Sequence, residues 1–338
     1  MYGLRVHRVG IVGASGYAGV ELLRLCAAHP EVEVAWATGD SQAGTPVRGL
    51  YPHLTTAFPD LVFETFDPAM AEDVDAVFLA LPHGASGHLV PDLLKRAEVV
   101  LDLAADFRLK DPALYPAWYG EEHPAPELLG EFAYGLPELH REALVGATAV
   151  ALAGCYPTAA ALALTPLVRA GAIETAGIVV DAASGVSGAG RDKFGFCAVD
   201  EDFRAYGLVN HRHTPEIEQV VGAQVLFTPH LAPMSRGILA TCYARPTSPD
   251  VDPMAILRDA YAGEPFVAVI DEPPTTKAVM GSNSCHLTAR TDPRTGWVVV
   301  LAAIDNLVKG TAGQAVQCLN LALGLPEATG LPTVGLAP

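Results

Sequence analysis

The sequence predicts an α/β protein in two parts: a doubly wound parallel sheet over residues 1–154, then an α+β part over 155–310. Three observations predict it. A strand, a glycine turn, a helix and a second strand follow one another within residues 6–37, which makes a βαβ unit. The next strands, at 76–81 and 99–103, are apolar throughout, as in a parallel sheet covered on both faces. Beyond Pro166 strands outnumber helices, the texture of an α+β part. A length of 338 residues, at about 150 per domain, agrees with two domains.

In chain order, the β-branched run 6–12 is the first strand and 13–19 is the turn. Residues 20–26 carry apolar side chains at helical spacing until Pro30 stops the helix, and 32–37 is the second strand. Residues 91–96 read as a helix between the next two strands. From 106 to 139, Pro, Trp, Tyr and acidic residues with little periodicity read as a long functional loop crossing between domains. The uncharged stretch 147–168 is long enough to cross a bilayer. Gly154-Cys155-Tyr156-Pro157 and Pro166 interrupt it, so it divides into a buried strand, a turn and a short helix. Strands are then expected at 177–182, 225–228, 238–244, 266–270, 286–290 and 297–304, with helices at 215–221 and 253–261. Residues 311–323 form one apolar helix, and 311–338 is expected to return to the first domain.

A net charge of −17 repels phosphate backbones and anionic lipid, which argues against nucleic acid and membrane partners. Half the chain is apolar and 17% is charged, so a sizeable core forms and disorder is excluded for most of the length. The six cysteines lie far apart without a C-x-x-C pair, so neither a zinc site nor a disulfide framework is indicated; no metal is expected. That usage suits a reducing cytosol, and the first residues enter a strand without the features of a signal peptide. The expected protein is soluble and cytoplasmic.

Gly13, Gly16 and Gly19 sit between the first strand and the first helix. Without a Cβ the chain lets a pyrophosphate approach, and the helix N-terminus faces its charge: a Rossmann-type dinucleotide site. At the end of the second strand Asp40 would pair with a free ribose 2′-OH, whereas Ser41 suits a 2′-phosphate, so these two residues leave NAD and NADP both open. Cys155 follows a strand, and Pro157 marks the first turn of a helix. A thiol at a helix N-terminus has its pKa lowered toward neutrality, which is how a cysteine nucleophile is built. In the lead-in to Pro215, His211 and His213 point the same way, and either could be the acid–base partner of a thiolate. Glu216, in the first turn of that helix, reads as a cap carboxylate that could orient an imidazole. The loop Ser184-Gly185-Val186-Ser187-Gly188-Ala189-Gly190-Arg191 could cradle a phosphate or lie against a nicotinamide. Arg108, just past an apolar strand, could hold a carboxylate or phosphate.

Taken in order, these pieces resemble the N-acetyl-γ-glutamyl-phosphate reductases of arginine biosynthesis over nearly the full chain. The matching stretches are Gly13-Ala-Ser-Gly-Tyr-Ala-Gly19, Leu81-Pro-His-Gly84, Asp102-Leu-Ala-Ala-Asp-Phe-Arg108 and Gly154-Cys-Tyr-Pro-Thr158. Ser184 to Arg191, His211 to Ile217, Thr228 to Gly237 and Asp305 to Gln314 match as well. The resemblance implies a Rossmann domain and an α+β catalytic and dimerisation domain, assembled as a homodimer or homotetramer. It implies that Cys155 is the nucleophile, that His213 is the acid–base residue, and that Arg108 holds the acyl phosphate. It places NADP(H) at the glycine turn (Gly13, Ser15, Gly16, Tyr17, Ala18, Gly19), near Ser41, at Ser184, Gly185 and Gly188, and around Asn306. Some members carry a basic residue near position 40, where this chain has Asp40.

The expected reaction is reductive dephosphorylation of an acyl phosphate through a cysteine thioester, which replaces one hard step by two easier ones. On so acidic a chain an anionic substrate needs local positive charge, for which Arg108, Arg191 and Arg212 stand ready, with Glu216 close in sequence. A related reductase acting on a carrier-linked aminoadipyl phosphate is the neighbouring alternative. A dinucleotide-binding regulator without chemistry is a third; it would have lost the thiol or the imidazole, and both are present.

Overall fold

The computed structural model describes residues 5–191 and 195–337. The chain divides into two compact units. The first comprises residues up to Pro116, Glu121–Ala153 and Thr311–Leu331; the second comprises Ala117–Gly120, Gly154–Gly310 and the tail from Pro332.

The first unit opens with β1 (His7–Val12), α1 (Tyr17–Ala27), β2 (Val32–Ala37), α2 (Val47–Leu50), β3 (Ala76–Leu79), α3 (Ser86–Leu93) and β4 (Val99–Asp102). It continues with α4 (Leu114–Tyr119), whose last residues belong to the second unit, then β5 (Ala133–Gly135), α5 (Pro137–Leu144) and β6 (Ala149–Leu152). Its sheet runs β2-β1-β3-β4-β6-β5, every neighbouring pair parallel. β3, β4 and β6 are buried along their whole length, which is why they read as unbroken apolar runs. The strand order reverses at β1, and the crevice past the carboxyl ends of such a switch point is where open α/β sheets bind ligands.

The second unit holds α6 (Cys155–Arg169), β7 (Ile178–Gly185), β8 (Arg204–Ala205), α7 (Thr214–Val221), β9 (Val225–Ala232), β10 (Ile238–Ala244) and α8 (Pro253–Ala260). β11 (Val267–Val269), α9 (Thr276–Val279), β12 (Cys285–Thr291) and β13 (Val298–Ile304) complete it, and α10 (Gly313–Ala322) then returns the chain to the first unit. Its mixed sheet runs β11-β12-β13-β10-β7-β9-β8. Burial alternates along β10, with Ile238, Ala240, Cys242 and Ala244 inside and Leu239, Thr241 and Tyr243 half-buried, so one face carries the core. α6 packs across β10 and β13.

The α/β class with a Rossmann-type first part and an α+β second part is thus present, but several elements differ from expectation. α3 starts at Ser86 and holds Pro91 inside it, rather than beginning at Pro91. The Asp106 carboxylate accepts the N–H groups of Gly84, Ser86 and Gly87 at 2.8, 3.1 and 3.4 Å, a cap supplied from far along the chain that no local signal announces. The stretch 106–139 does cross between the units, Ala117–Gly120 belonging to the second, but it carries short elements and fixed contacts rather than one loop. Phe107 stacks on Phe132 with centroids 4.1 Å apart, His123 Nε2 donates to Asp106 O at 2.8 Å, and β5 pairs with β6. β8 was not foreseen, and β7 and β9 run on to Gly185 and Ala232. The returning helix ends at Ala322, and the tail expected to follow it bonds within the second unit: Asn283 N donates to Pro332 O and Leu336 N to Met280 O, both at 2.7 Å.

α6 is the largest departure, a 15-residue helix that passes through Pro166. Proline has no N–H to give Leu162 O four residues back. The Tyr261 hydroxyl donates to that carbonyl at 2.6 Å, so the fully buried acceptor is satisfied and the helix continues. Tyr261→Phe removes this donor while keeping the ring and is expected to cost about 1–3 kcal/mol. Urea unfolding checks it: the midpoint falls with an unchanged slope, whereas an unchanged midpoint contradicts the account.

Candidate active site

In the first unit the glycine turn is shaped by contact. Gly13 has φ +79°, and a Cβ on it would stand 2.5 Å from Ala80 O; one on Gly19 would stand 2.4 Å from Ala14 Cα. Gly16 is the N-cap of α1 and places no side chain over the helix's first N–H groups. Tyr51 Oη donates to Ser15 O at 2.6 Å and Ala14 N donates to Thr38 O at 2.7 Å, which hold the turn against its neighbours. Ser15, Tyr17 and Ala18 are half-buried around it. Close backbone packing with an open helix N-terminus fits a pyrophosphate. Asp40 and Ser41 lie exposed just past β2, Asp40 with the left-handed φ of +34° that Asp tolerates.

The same unit carries a buried acid network. Ser86 Oγ lies 2.9 Å from Asp102 Oδ2 and also contacts Asp106 Oδ2. A hydroxyl has one proton to donate, so the second contact needs a proton from a carboxyl group. Burial, then the neighbouring Asp106 carboxylate, push Asp102 up to about 7, so below that pH it supplies the proton. Burial works against the Asp106 carboxylate too, but hydrogen bonds from His83, Ser86 and Gly84 hold it down at about 2. His83 Nδ1 stands 2.8 Å from Asp106 Oδ1. Arg108, expected at the acyl phosphate, is buried: Nε donates to Leu152 O at 2.7 Å and Nη2 to Leu103 O at 2.8 Å. It braces the chain just past β4 to the end of β6.

That cavity, about 550 Å³, lies in the second unit. Cys155, the first residue of α6, lines it with Tyr156, His211 and His213. The thiol is half-buried, whereas burial pushes Cys26 and Cys242 up to about 12 and leaves them without thiolate character. The backbone ahead of Cys155 is gripped: Gly154 N donates to Glu216 Oε1 at 2.8 Å. On another side Gly310 packs so closely that a Cβ there would stand 2.8 Å from Cys155 Cβ. Gly310 reaches this place through a π-turn, Val308–Ala312, in which its N–H bonds Asp305 O at 2.9 Å. Such turns concentrate at functional sites.

The structure brings together in one wall Cys155, His211, His213, Arg212, Ser184 and Gly188, all read from the sequence. Arg191 is half-buried at the end of the glycine loop and is not in that wall. Glu216, expected near the substrate, is fully buried behind the thiol as a support. Gly185 packs on the Arg236 backbone, where a Cβ would stand 2.8 Å away. Asn306 is also a support: Nδ2 donates to Ser187 Oγ at 3.0 Å and Oδ1 accepts Gly237 N at 2.7 Å. Trp118 and Arg204 line the cavity from stretches whose lack of periodicity gave no site signal, and Tyr206 and Asn210 line it from the segment leading to the two histidines, where the sequence assigned them no role.

These features define a two-part dehydrogenase of the semialdehyde type. Residues 8–147 match the model of the semialdehyde dehydrogenase NAD binding domain, and 155–306 the semialdehyde dehydrogenase dimerisation domain. Aspartate semialdehyde dehydrogenase II of Vibrio cholerae shares the fold at TM-score 0.72 and 16% identity, covering 95% of this chain and 99% of that one. The Candida albicans aspartate semialdehyde dehydrogenase with NADP does so at TM-score 0.70 and 14% identity, covering 94% and 98%. The N-acetyl-γ-glutamyl-phosphate reductase of Symbiobacterium thermophilum is 51% identical over 97% of this chain and 98% of its own length. That of Geobacter sulfurreducens is 48% identical over 98% and 99%. The chain belongs to the N-acetyl-γ-glutamyl-phosphate reductase family. Among the described residues no helix is long and apolar enough to cross a membrane.

Asp102 gives the site a pH signature. Its folded pKa of about 7 lies above the 3.8 of an ordinary Asp, so the folded chain holds a proton that the unfolded chain releases. The Asp102 contribution to stability therefore falls as pH rises from about 4 to about 7, with a slope approaching about 1.4 kcal/mol per unit in the difference between wild type and a variant lacking it. Buried His211, held down at about 4, contributes with the opposite sign to both. Asp102→Asn keeps a donor for Ser86 and removes that slope. Urea unfolding across this range checks it; parallel wild-type and variant profiles contradict it.

Proposed function

We propose that the chain catalyses the NADPH-dependent reductive dephosphorylation of N-acetyl-γ-glutamyl phosphate to N-acetylglutamate 5-semialdehyde, a step of arginine biosynthesis. The observation that carries this reading is a cysteine on the first residue of a buried helix, sharing one cavity with two histidines and two arginines.

Cys155 Sγ, favoured as thiolate by the helix N-terminus, attacks the γ-carbonyl carbon. A C–S bond forms, the C–O bond to phosphate breaks, and phosphate leaves with the electron pair. NADPH, when bound, would supply the hydride that the thioester carbon takes up, after which the C–S bond breaks and the electron pair returns to Cys155 Sγ, leaving the aldehyde. His213 gives a proton to the developing oxygen or to the departing sulfur, and takes it back in the reverse direction. Arg212 and Arg204 offer guanidinium donors to the anionic ends of the substrate, with Arg191 adding positive charge to the same unit.

Gly13, Ser15, Gly16, Tyr17, Ala18 and Gly19 would hold the pyrophosphate and Ser41 the adenosine ribose side. Ser184, Gly185 and Gly188, braced by Asn306, would meet the nicotinamide portion. The crowded backbone at Gly13, Gly19 and Gly185 supports this use. The match to a dimerisation domain supports a homodimer or homotetramer. Six cysteines that form no disulfide support a cytoplasmic setting.

Cys155→Ser is expected to lower kcat about a thousandfold or more while NADPH affinity holds, read from NADPH absorbance with N-acetyl-γ-glutamyl phosphate. Turnover at the wild-type rate in that variant refutes the reading.

A further inference from the structure

The reaction above uses one imidazole of the pair, and the other holds the backbone beside it. His211 Nδ1 accepts the backbone N–H of His213 at 3.2 Å, and His211 O accepts Thr214 N at 2.9 Å. His211 therefore takes two consecutive N–H groups at the point where α7 begins. His213 is the N-cap residue of α7 and makes no side-chain cap to the helix, so its backbone, and with it the start of its side chain, stands where the His211 hydrogen bond helps to hold it. The two rings meet edge-on with centroids 4.8 Å apart.

A ring nitrogen that accepts a hydrogen bond carries no proton, so the proton of neutral His211 is on Nε2. Tyr156, Tyr206 and Phe227 surround the ring edge-on at 5.9, 5.4 and 5.4 Å. Burial among them, then the adjacent Arg212 guanidinium, push the His211 pKa down to about 4. At neutral pH the ring is uncharged and Nδ1 remains an acceptor.

We propose that His211 is a positioning residue, whose Nδ1 fixes the backbone of His213 so that the second imidazole stands correctly in the cavity that Cys155 lines. This rests on the acid–base assignment of His213. It gives the two histidines separate duties: one neutral and structural in its hydrogen bond, the other the acid–base group of the proposed reaction. An error of about 1 Å in a catalytic group costs on the order of 100-fold, so the hydrogen bond reaches the rate through geometry.

Three variants separate this role from its rivals. His211→Asn puts Oδ1 where Nδ1 stood and can accept the same N–H; His211→Gln restores a donor near the Nε2 position; His211→Leu fills the volume with neither. The expected ranking is Asn within about threefold of wild-type kcat, and Gln and Leu lowered about 10- to 100-fold, with NADPH affinity unchanged in all three. Melting temperatures are read alongside, and if Leu fails to fold, the Asn against Gln comparison decides. Gln matching wild type while Asn fails, equal loss in all variants, or a fully active Leu variant each overturn the proposal. Should the wild-type chain turn over no acyl phosphate, the functional reading has failed. The proposal is then read from 15N ring shifts of His211 at pH 7, where a protonated Nδ1 overturns it and a bare one supports it.

Discussion

The first turn of α6 is held from two sides, and the chemistry of the second unit depends on that hold. Glu216 takes the Gly154 N–H, and Gly310 leaves no space for Cys155 to retreat. Behind that turn the helix is buried from Tyr156 to Leu167, so its dipole acts in a medium that screens it poorly. A thiol on an exposed helix would have neither the fixed position nor the field. Tyr261 belongs to the same account, since a break at Pro166 would shorten the helix whose end carries the sulfur.

Helix N-termini are treated differently according to what they face. α1 begins on Gly16 with no side-chain cap, so its first N–H groups face the crevice where the sheet order reverses. α3 is capped by Asp106, which is itself tied to His83, Ser86 and, through Ser86, to a protonated Asp102. α6 begins on Cys155 with a carboxylate behind it rather than over it. The same unsatisfied N–H groups serve as an anion cradle, a structural anchor and the setting for a thiolate.

Much of this was legible in the sequence, and the limits are physical. The glycine turn and Cys155 ahead of Pro157 are local patterns, because backbone sterics and a missing N–H act within a few residues. The apolar runs of β3, β4 and β6 are legible because burial on both faces leaves a continuous signal. Asp106 capping α3, Glu216 gripping Gly154 and Tyr261 rescuing Leu162 join residues 20, 62 and 99 apart, and no window contains them. The arginines divide the same way. Arg108 looked available from its place after a strand, but two backbone carbonyls occupy it, whereas Arg204 in a two-residue strand gave no signal and lines the cavity.

The most direct measurement of covalent chemistry at this helix end is mass spectrometry of the chain mixed with N-acetyl-γ-glutamyl phosphate in the absence of NADPH. The account predicts release of phosphate with one N-acetylglutamyl group retained per chain, mapped to the peptide bearing Cys155 and removable by hydroxylamine. An unmodified chain, or an acyl group on any other residue, would contradict it.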